Sequence, residues 1–506
     1  MGIVDWIVVA LYAAAMLAIG RHYGRKNKTA EDYHLGGRRM SPFAVGLSLF
    51  ATLTSALSYL AVPGEMVKNG PMVLAQLVAY PLIALVVGWG LIPFIMQQSV
   101  TSAYEILERR FGVSVRLVGS TMFLAMRLGW MATILYATSD KVLSPLLGLG
   151  PLATIGAALV MCVITLIYTA EGGLRAVIVT DAMQSVIMLA GATAVIAIVS
   201  VDLGGVSAWW PSAWPAHWAE PRFGFESSTR ITFLGMATSA FAWYVCTCGS
   251  DQMAIQRWLS TRDAASARRS LFTTLCAEST VSVLLGLVGL AMVGYFTAHP
   301  ELFTDEVNLV EGADKLFPRF VVVGLPFGMT GVIIAAVLSA AMSSLASGMN
   351  SSCAVITEDF ISRFRATPLA DAERVRLARF ISLGIGVVVM LLSLLVSRVE
   401  GNLLDLCYRV VNLLVAPLFV LFFLAMFVRW STTFGALVAA VASVTAAVCI
   451  AFSQLLGIGS LSILWIMPGS FSIGVAAGAL ASLLPIGQRP TSPRSPERGP
   501  ARPIGR

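Results

Sequence analysis

The sequence predicts an all-α integral membrane protein of about thirteen transmembrane helices, ten of them forming two inverted repeats of five. Three observations predict this. The 506 residues are 57% hydrophobic and 12% charged, with a mean hydropathy of +0.82, whereas a soluble domain carries about 25% charged residues. Thirteen apolar stretches reach the length of a helical span, which requires about 20 residues. Two of them, five spans apart, are interrupted by polar residues.

The stretches lie near 4–20, 43–64, 71–97, 117–139, 146–169, 176–201, 232–254, 270–297, 326–352, 377–397, 403–427, 433–455 and 461–484. Little remains outside them, so no separate soluble domain is expected. The first begins with Asp5 and lacks a basic n-region, which argues against a cleaved signal peptide. In the second, SLFATLTSALSYLAVPG (48–64), Thr and Ser recur centrally and Pro63-Gly64 closes the run. In the seventh, FAWYVCTCGSDQMAIQRW (241–258), Cys248-Gly249-Ser250-Asp251-Gln252 breaks it. Interruptions in corresponding positions point to an inverted-repeat transporter with its sites at the broken helices, and two ordinary kinks are the alternative. The expected organisation is an extra helix and basic loop (1–42), a first repeat (43–201), an outer Trp-rich segment (202–231), a second repeat (232–427), two further helices (428–485) and a disordered Pro/Arg-rich tail (486–506). Trp209, Trp210, Trp214 and Trp218 of the outer segment read as an aromatic interface belt, with a binding lid as the alternative.

The net charge of +7 is not a nucleic-acid signature, because the cations sort by side. With alternating spans and residue 1 outside, inner loops and tail carry 25 of the 34 Lys and Arg. That asymmetry places the N-terminus outside and the C-terminus in the cytoplasm, in a cell membrane. Cys162, Cys246, Cys248, Cys276, Cys353, Cys407 and Cys449 read as small buried residues, without zinc-type spacing. The four histidines (His22, His34, His217, His299) sit in separate loops. Neither metal-dependent enzyme chemistry nor nucleotide-driven pumping has residues to work with, and no enzymatic activity is expected.

Residues 331–360 carry Ser343, Ser344, Ser347, Ser351 and Ser352 inside an apolar run. Unpartnered hydroxyls are costly in hydrocarbon. Close helix packing by small residues is one reason for them; oxygen ligation of a small hard cation is the other.

Six stretches resemble, in order, the sodium:solute symporter family. They are EDYHLGGRRMSPFAVGLSLFAT (31–52), TSAYEILERRFG (101–112), IYTAEGGLRAVIVTDAMQ (167–184), SDQMAIQRWLSTRD (250–263), AAMSSLASGMNS (340–351) and VAPLFVLFFLAMF (415–427). The resemblance implies the LeuT-type ten-helix inverted repeat, with one helix before and two after it, and Na+ as coupling ion. Mapped residue by residue, it implies a sodium site of carbonyls from Ala51, Thr54 and Ala340 and hydroxyls of Ser343 and Ser344. A second sodium in some members implies roles for Asp181 and Ser347, but Ala346 stands where another serine would be. Asp181 also reads as a carboxylate near Arg175.

The expected function is sodium-coupled import of a small organic solute by alternating access, with the lipid bilayer as surroundings and no obligatory oligomer. Ionisable residues in spans are functional candidates: Arg127, Asp251, Glu278, Asp405 and Arg409. Arg409 stands where sugar-carrying relatives place a Gln, and their other sugar ligands align with Ser58 and Leu77, with Gln76 adjacent. The solute-site candidates are Ser55, Ser58, Gln76, Arg127, Asp251, Gln252, Arg409 and Asn412. An Arg in the cavity suits a carboxylate, so an organic anion, a monocarboxylate or vitamin-type acid, is preferred over a sugar or amino acid. The structural alternative pairs Arg409 with Asp405, and Arg127 with Glu278 or a carbonyl. A membrane sensor and a passive channel are the rivals from other classes.

Overall fold

The structure, a computed structural model, describes residues 2–226, 228–303, 307–326, 328–367, 369–396 and 403–486, without the side chains of 403–411. Its main helices are α1 (Ile3–Gly24), α2 (Pro42–Leu53), α3 (Ala56–Asn69), α4 (Pro71–Met96), α5 (Val113–Leu147), α6 (Pro151–Asp202) and α7 (Phe233–Ser250). They continue with α8 (Gln252–Leu259), α9 (Ala264–Ala298), α10 (Met329–Phe364), α11 (Asp371–Val396), α12 (Leu403–Phe427), α13 (Thr433–Ala451) and α14 (Ile463–Ala481).

By length and apolarity, nine of the described helices could cross a membrane, or ten with α2 and α3 as one bent span. That is fewer than the thirteen expected, for identifiable reasons. Helix α6 absorbs most of the segment 146–169 and all of 176–201 in 52 residues, roughly 80 Å at 1.5 Å per residue against a hydrocarbon core of about 30 Å. Gly173, with φ +59°, breaks it; a Cβ there would lie 2.8 Å from the Tyr33 carbonyl. Asp251, in extended conformation, separates α7 from α8. Both expected interruptions are therefore real, and the first bends the chain by 65° between α2 and α3.

Helix α10 is the centre of the molecule: most of it is buried, including all its residues from Ile333 to Val355. It packs on α6, α1 and α5, while α2 lies against α9 and α6. The small side chains of α10 allow these approaches, so the packing role of its serines is genuine. At Gly348 a Cβ would meet Met131 at 2.6 Å and Arg127 at 3.2 Å; the missing side chain makes room for an arginine.

The Trp-rich segment departs from the expected belt. Trp210 and Trp214 are exposed, but Trp209 and Trp218 are buried. Trp209 Nε1 donates to Ser200 Oγ (2.9 Å) and Trp218 Nε1 to the Val67 carbonyl (2.8 Å). Indole N–H groups with protein acceptors tie half of the cluster to α6 and α3 instead of to lipid. Cys276 is exposed and Cys449 half-buried, against the expectation of burial; both lie on helix faces turned away from the core. Residues 487–506 of the expected tail lie outside the described residues.

Candidate functional site

Helix α2 ends at Leu53 because Thr54 and Ser55 adopt extended conformations before α3 starts. A helix end leaves its last carbonyls without intrahelical donors. The Phe50 carbonyl accepts from Thr54 N, and α10 supplies donors for the next two. Ser343 Oγ donates to the Ala51 carbonyl (2.7 Å) and lies 3.2 Å from that of Ala340. Ser344 Oγ donates to the Thr52 carbonyl (3.0 Å). The structure thus gathers Ala51, Ala340 and Ser343 at one point, with Ser344 one residue further along the same broken end. Thr54 Oγ1 donates to Glu278 Oε2 of α9 (2.9 Å). Uncharged carbonyl and hydroxyl oxygens are the ligand type that a hard monovalent cation takes.

Asp181 is not paired with Arg175, which instead binds Asp32 (2.6 Å) and the Gly36 carbonyl. Its partner is Arg257 of α8, counted by charge sorting among the inner cations but fully buried. Asp181 Oδ2 accepts from Arg257 Nη2 (3.0 Å), Ser48 Oγ (2.6 Å) and Ser347 Oγ (3.2 Å). Arg257 also donates through Nε to Ser48 (2.9 Å) and through Nη2 to Thr52 Oγ1 (2.6 Å) and to Ser347. The guanidinium sits among the oxygens expected for a second sodium. Asp181 Oδ1 has no hydrogen-bond partner. A buried carboxylate far from solvent demands a cation, and that demand was the signal that could have found Arg257.

Above the break of α2 opens a cavity of about 1110 Å³. It reaches the surface beside Lys68, Lys141, Arg230 and Lys315, at the end carrying the Trp-rich segment. Ser55, Ser58, Gln76, Arg127, Asp251 and Asn412 all line it. Gln252 does not. Its Oε1 accepts from Ala103 N (2.7 Å) and its Nε2 donates to the Thr101 carbonyl (2.9 Å), because the first turn of α8 turns this amide onto the neighbouring loop. Arg127 pairs neither with Glu278 nor with a carbonyl: its Nη2 donates to Asp251 Oδ2, while Asp251 Oδ1 accepts from Met253 N (2.8 Å) and caps α8. Arg127 Nε is buried without a partner. The side chains of Asp405 and Arg409 lie outside the described residues.

At the opposite end of α10 lies a buried charge cluster. Asp359 Oδ2 of α10 accepts from Ser102 (2.8 Å) and Ser120 (2.5 Å), and its Oδ1 from Arg116 (Nη2 2.5 Å, Nε 2.9 Å).

The model described as the sodium:solute symporter family matches residues 33–443. The sodium/sialic acid symporter of Aliivibrio fischeri is 28% identical over 451 residues, 88% of this chain and 86% of that protein. The sodium-dependent multivitamin transporter of Oryctolagus cuniculus is 30% identical over 464 residues, 91% of this chain and 71% of that protein. A solved structure described as the substrate-bound outward-open state of a Na+-coupled sialic acid symporter superposes with a TM-score of 0.84. It is 25% identical and covers 96% of this chain and 99% of its own. Mhp1, a nucleobase-cation-symport-1 transporter, superposes at 0.59 and 14% identity, a likeness of fold.

Proposed function

The chain belongs to the sodium:solute symporter family and is a sodium-coupled transporter, and on that premise we propose that it imports an organic anion. The observation that carries this reading is Arg127 in the cavity wall: one bond to Asp251 leaves further guanidinium N–H groups for a solute carboxylate. Relatives named for sialic acid, multivitamins and monocarboxylates support it.

In the mechanism, sodium enters from the open cavity and binds Ala51, Thr54, Ala340, Ser343 and Ser344. It fixes the break between α2 and α3, whose residues Ser55 and Ser58 face the solute. The four-helix bundle and the remaining scaffold then rock to close this mouth and open the end held by Asp359 and Arg116. With the N-terminus outside and the C-terminus in the cytoplasm, the open mouth faces outward. Coupling is reciprocal in affinity. A 100 mV potential supplies about 2.3 kcal/mol per charge and a tenfold sodium gradient about 1.4 kcal/mol. A monoanion carried with one sodium moves no net charge and uses only the second term.

A sodium-dependent thermal-shift screen of purified protein tests the solute class. Sialic acid, short monocarboxylates, biotin, hexoses and neutral amino acids are compared in sodium and in potassium. An acid that raises the melting temperature in sodium alone is expected; a shift with hexoses and none with acids would replace the anion by a sugar.

A further inference from the structure

We propose that Glu278 holds a second sodium ion, in the wall of the solute cavity and away from Asp181. Among the described carboxylates buried or half-buried in the membrane helices, Glu65, Asp181, Asp251, Asp359 and Glu358 each face an arginine: Arg230, Arg257, Arg127, Arg116 and Arg374. Asp5 holds the N–H groups of Gly2 and Gly331 at two helix starts. Glu278 is different. It stands half-buried in the middle of α9, lines the cavity, and accepts from the Thr54 hydroxyl, with no cationic partner among the described residues.

Two buried hydroxyls stand in the same wall: Tyr244, which interacts with Glu278 and Tyr80, and, one turn further along α7, Thr247, which has no hydrogen-bond partner among the described residues. Thr54 Oγ1 gives its proton to Glu278 and keeps lone pairs for an ion. A carboxylate with neighbouring neutral oxygens is a ligand set for a hard cation.

Charge balance supplies the reason for a cation here. In the open state water solvates Glu278. When the cavity closes over an anionic solute, the solute and Glu278 place two negative charges near one sodium at α2 and α10. Among the described cations of the wall, Arg127 is paired with Asp251, Arg230 with Glu65 and Lys141 with Asp140, and Lys68 and Lys315 stand at the mouth. An uncompensated charge is expensive in a low-dielectric interior. A sodium at Glu278 restores neutrality and makes import of a monoanion electrogenic. Thr54 joins the two ions, its carbonyl serving one and its hydroxyl the other. The inference rests on the proposed site at α2 and α10 and on the anionic solute, and the test separates it from both.

Saturation binding of radioactive sodium to purified full-length protein, without solute, counts the ions. Wild type should bind two, and Glu278→Gln and Ser343→Ala/Ser344→Ala one each, a halving at saturation. Glu278→Asp, which keeps the carboxylate, should retain two at lower affinity. One ion in the wild type overturns the proposal, and this reading needs no variant to fold. So does a Glu278→Gln protein that keeps two while Asp181→Asn drops to one, which returns the second ion to Asp181. A serine double variant that keeps two ions while Glu278→Gln keeps one removes the α2–α10 assignment and upholds Glu278.

Discussion

Arg257 Nη2 donates to Asp181 Oδ2 across 3.0 Å, with both side chains fully buried. The pair joins α8 to α6, and through Ser48, Thr52 and Ser347 it also ties in α2 and α10. Four elements that meet at the broken helices are thereby held by one guanidinium.

Removing one partner of a buried ion pair costs about 3–5 kcal/mol because the other charge stays behind. Asp181→Asn should therefore lower the melting temperature of the purified protein, and the double variant Asp181→Asn/Arg257→Gln should recover part of the loss. Whatever folds should keep its sodium activation. A single variant that melts like wild type but needs far more sodium would show that Asp181 is an ion ligand.

The serines of α10 predict a different signature. Ser343→Ala/Ser344→Ala leaves the helix and its packing intact but takes two oxygens from the site at the end of α2. The sodium concentration for half-maximal uptake should rise about tenfold or more, equivalent to about 1.4 kcal/mol. Unchanged activation with normal insertion would leave these serines as packing residues.

The fold was legible because the bilayer enforces it: span length, the polar breaks at 48–64 and 248–252 and the serine run follow from hydrophobicity alone. Ser343 donates to the Ala51 carbonyl and lies beside that of Ala340; the need of a broken helix end and of membrane hydroxyls for partners is legible in the sequence, whereas the choice of these residues is what the family resemblance implies. Arg257 was missed because charge sorting by loop treats a cation near a helix end as solvated, and only tertiary structure reveals the buried carboxylate it serves. Gln252 was misplaced for the converse reason. A polar residue at a break has two sides to face, and helix phase after Asp251 is not written in the local sequence.

His34, on the short helix Ala30–Leu35, gives a pH prediction. It is buried, both ring nitrogens lack hydrogen-bond partners, and burial with the nearby Arg374 pushes its pKa down to about 3. The unfolded chain then binds a proton between about pH 6.5 and 3 that the folded chain refuses. Stability should fall as pH drops through that window, by at most about 1.4 kcal/mol per pH unit. Melting curves from pH 7.5 to 5 should show the slope in wild type and a shallower one in His34→Gln; equal slopes would assign the acid sensitivity elsewhere.

Arg127 gives the most direct test of the solute class. Its guanidinium lines the cavity, is bonded to Asp251, and passes α10 where Gly348 leaves room. A charge-assisted hydrogen bond contributes about 1.5–3 kcal/mol, so Arg127→Gln should weaken an anionic solute roughly ten- to hundredfold while sodium binding in its absence persists. Arg127→Lys should restore little, because an ammonium cannot satisfy Asp251 and present a fork to a carboxylate at once. The structural alternative is that Arg127 serves only to neutralise Asp251 at the start of α8. It predicts that Asp251→Asn is as damaging as Arg127→Gln, and that uptake returns in Arg127→Gln/Asp251→Asn, where neither charge is left alone. If the guanidinium holds the solute, the double variant stays as weak as Arg127→Gln, and competition by carboxylates is lost in both.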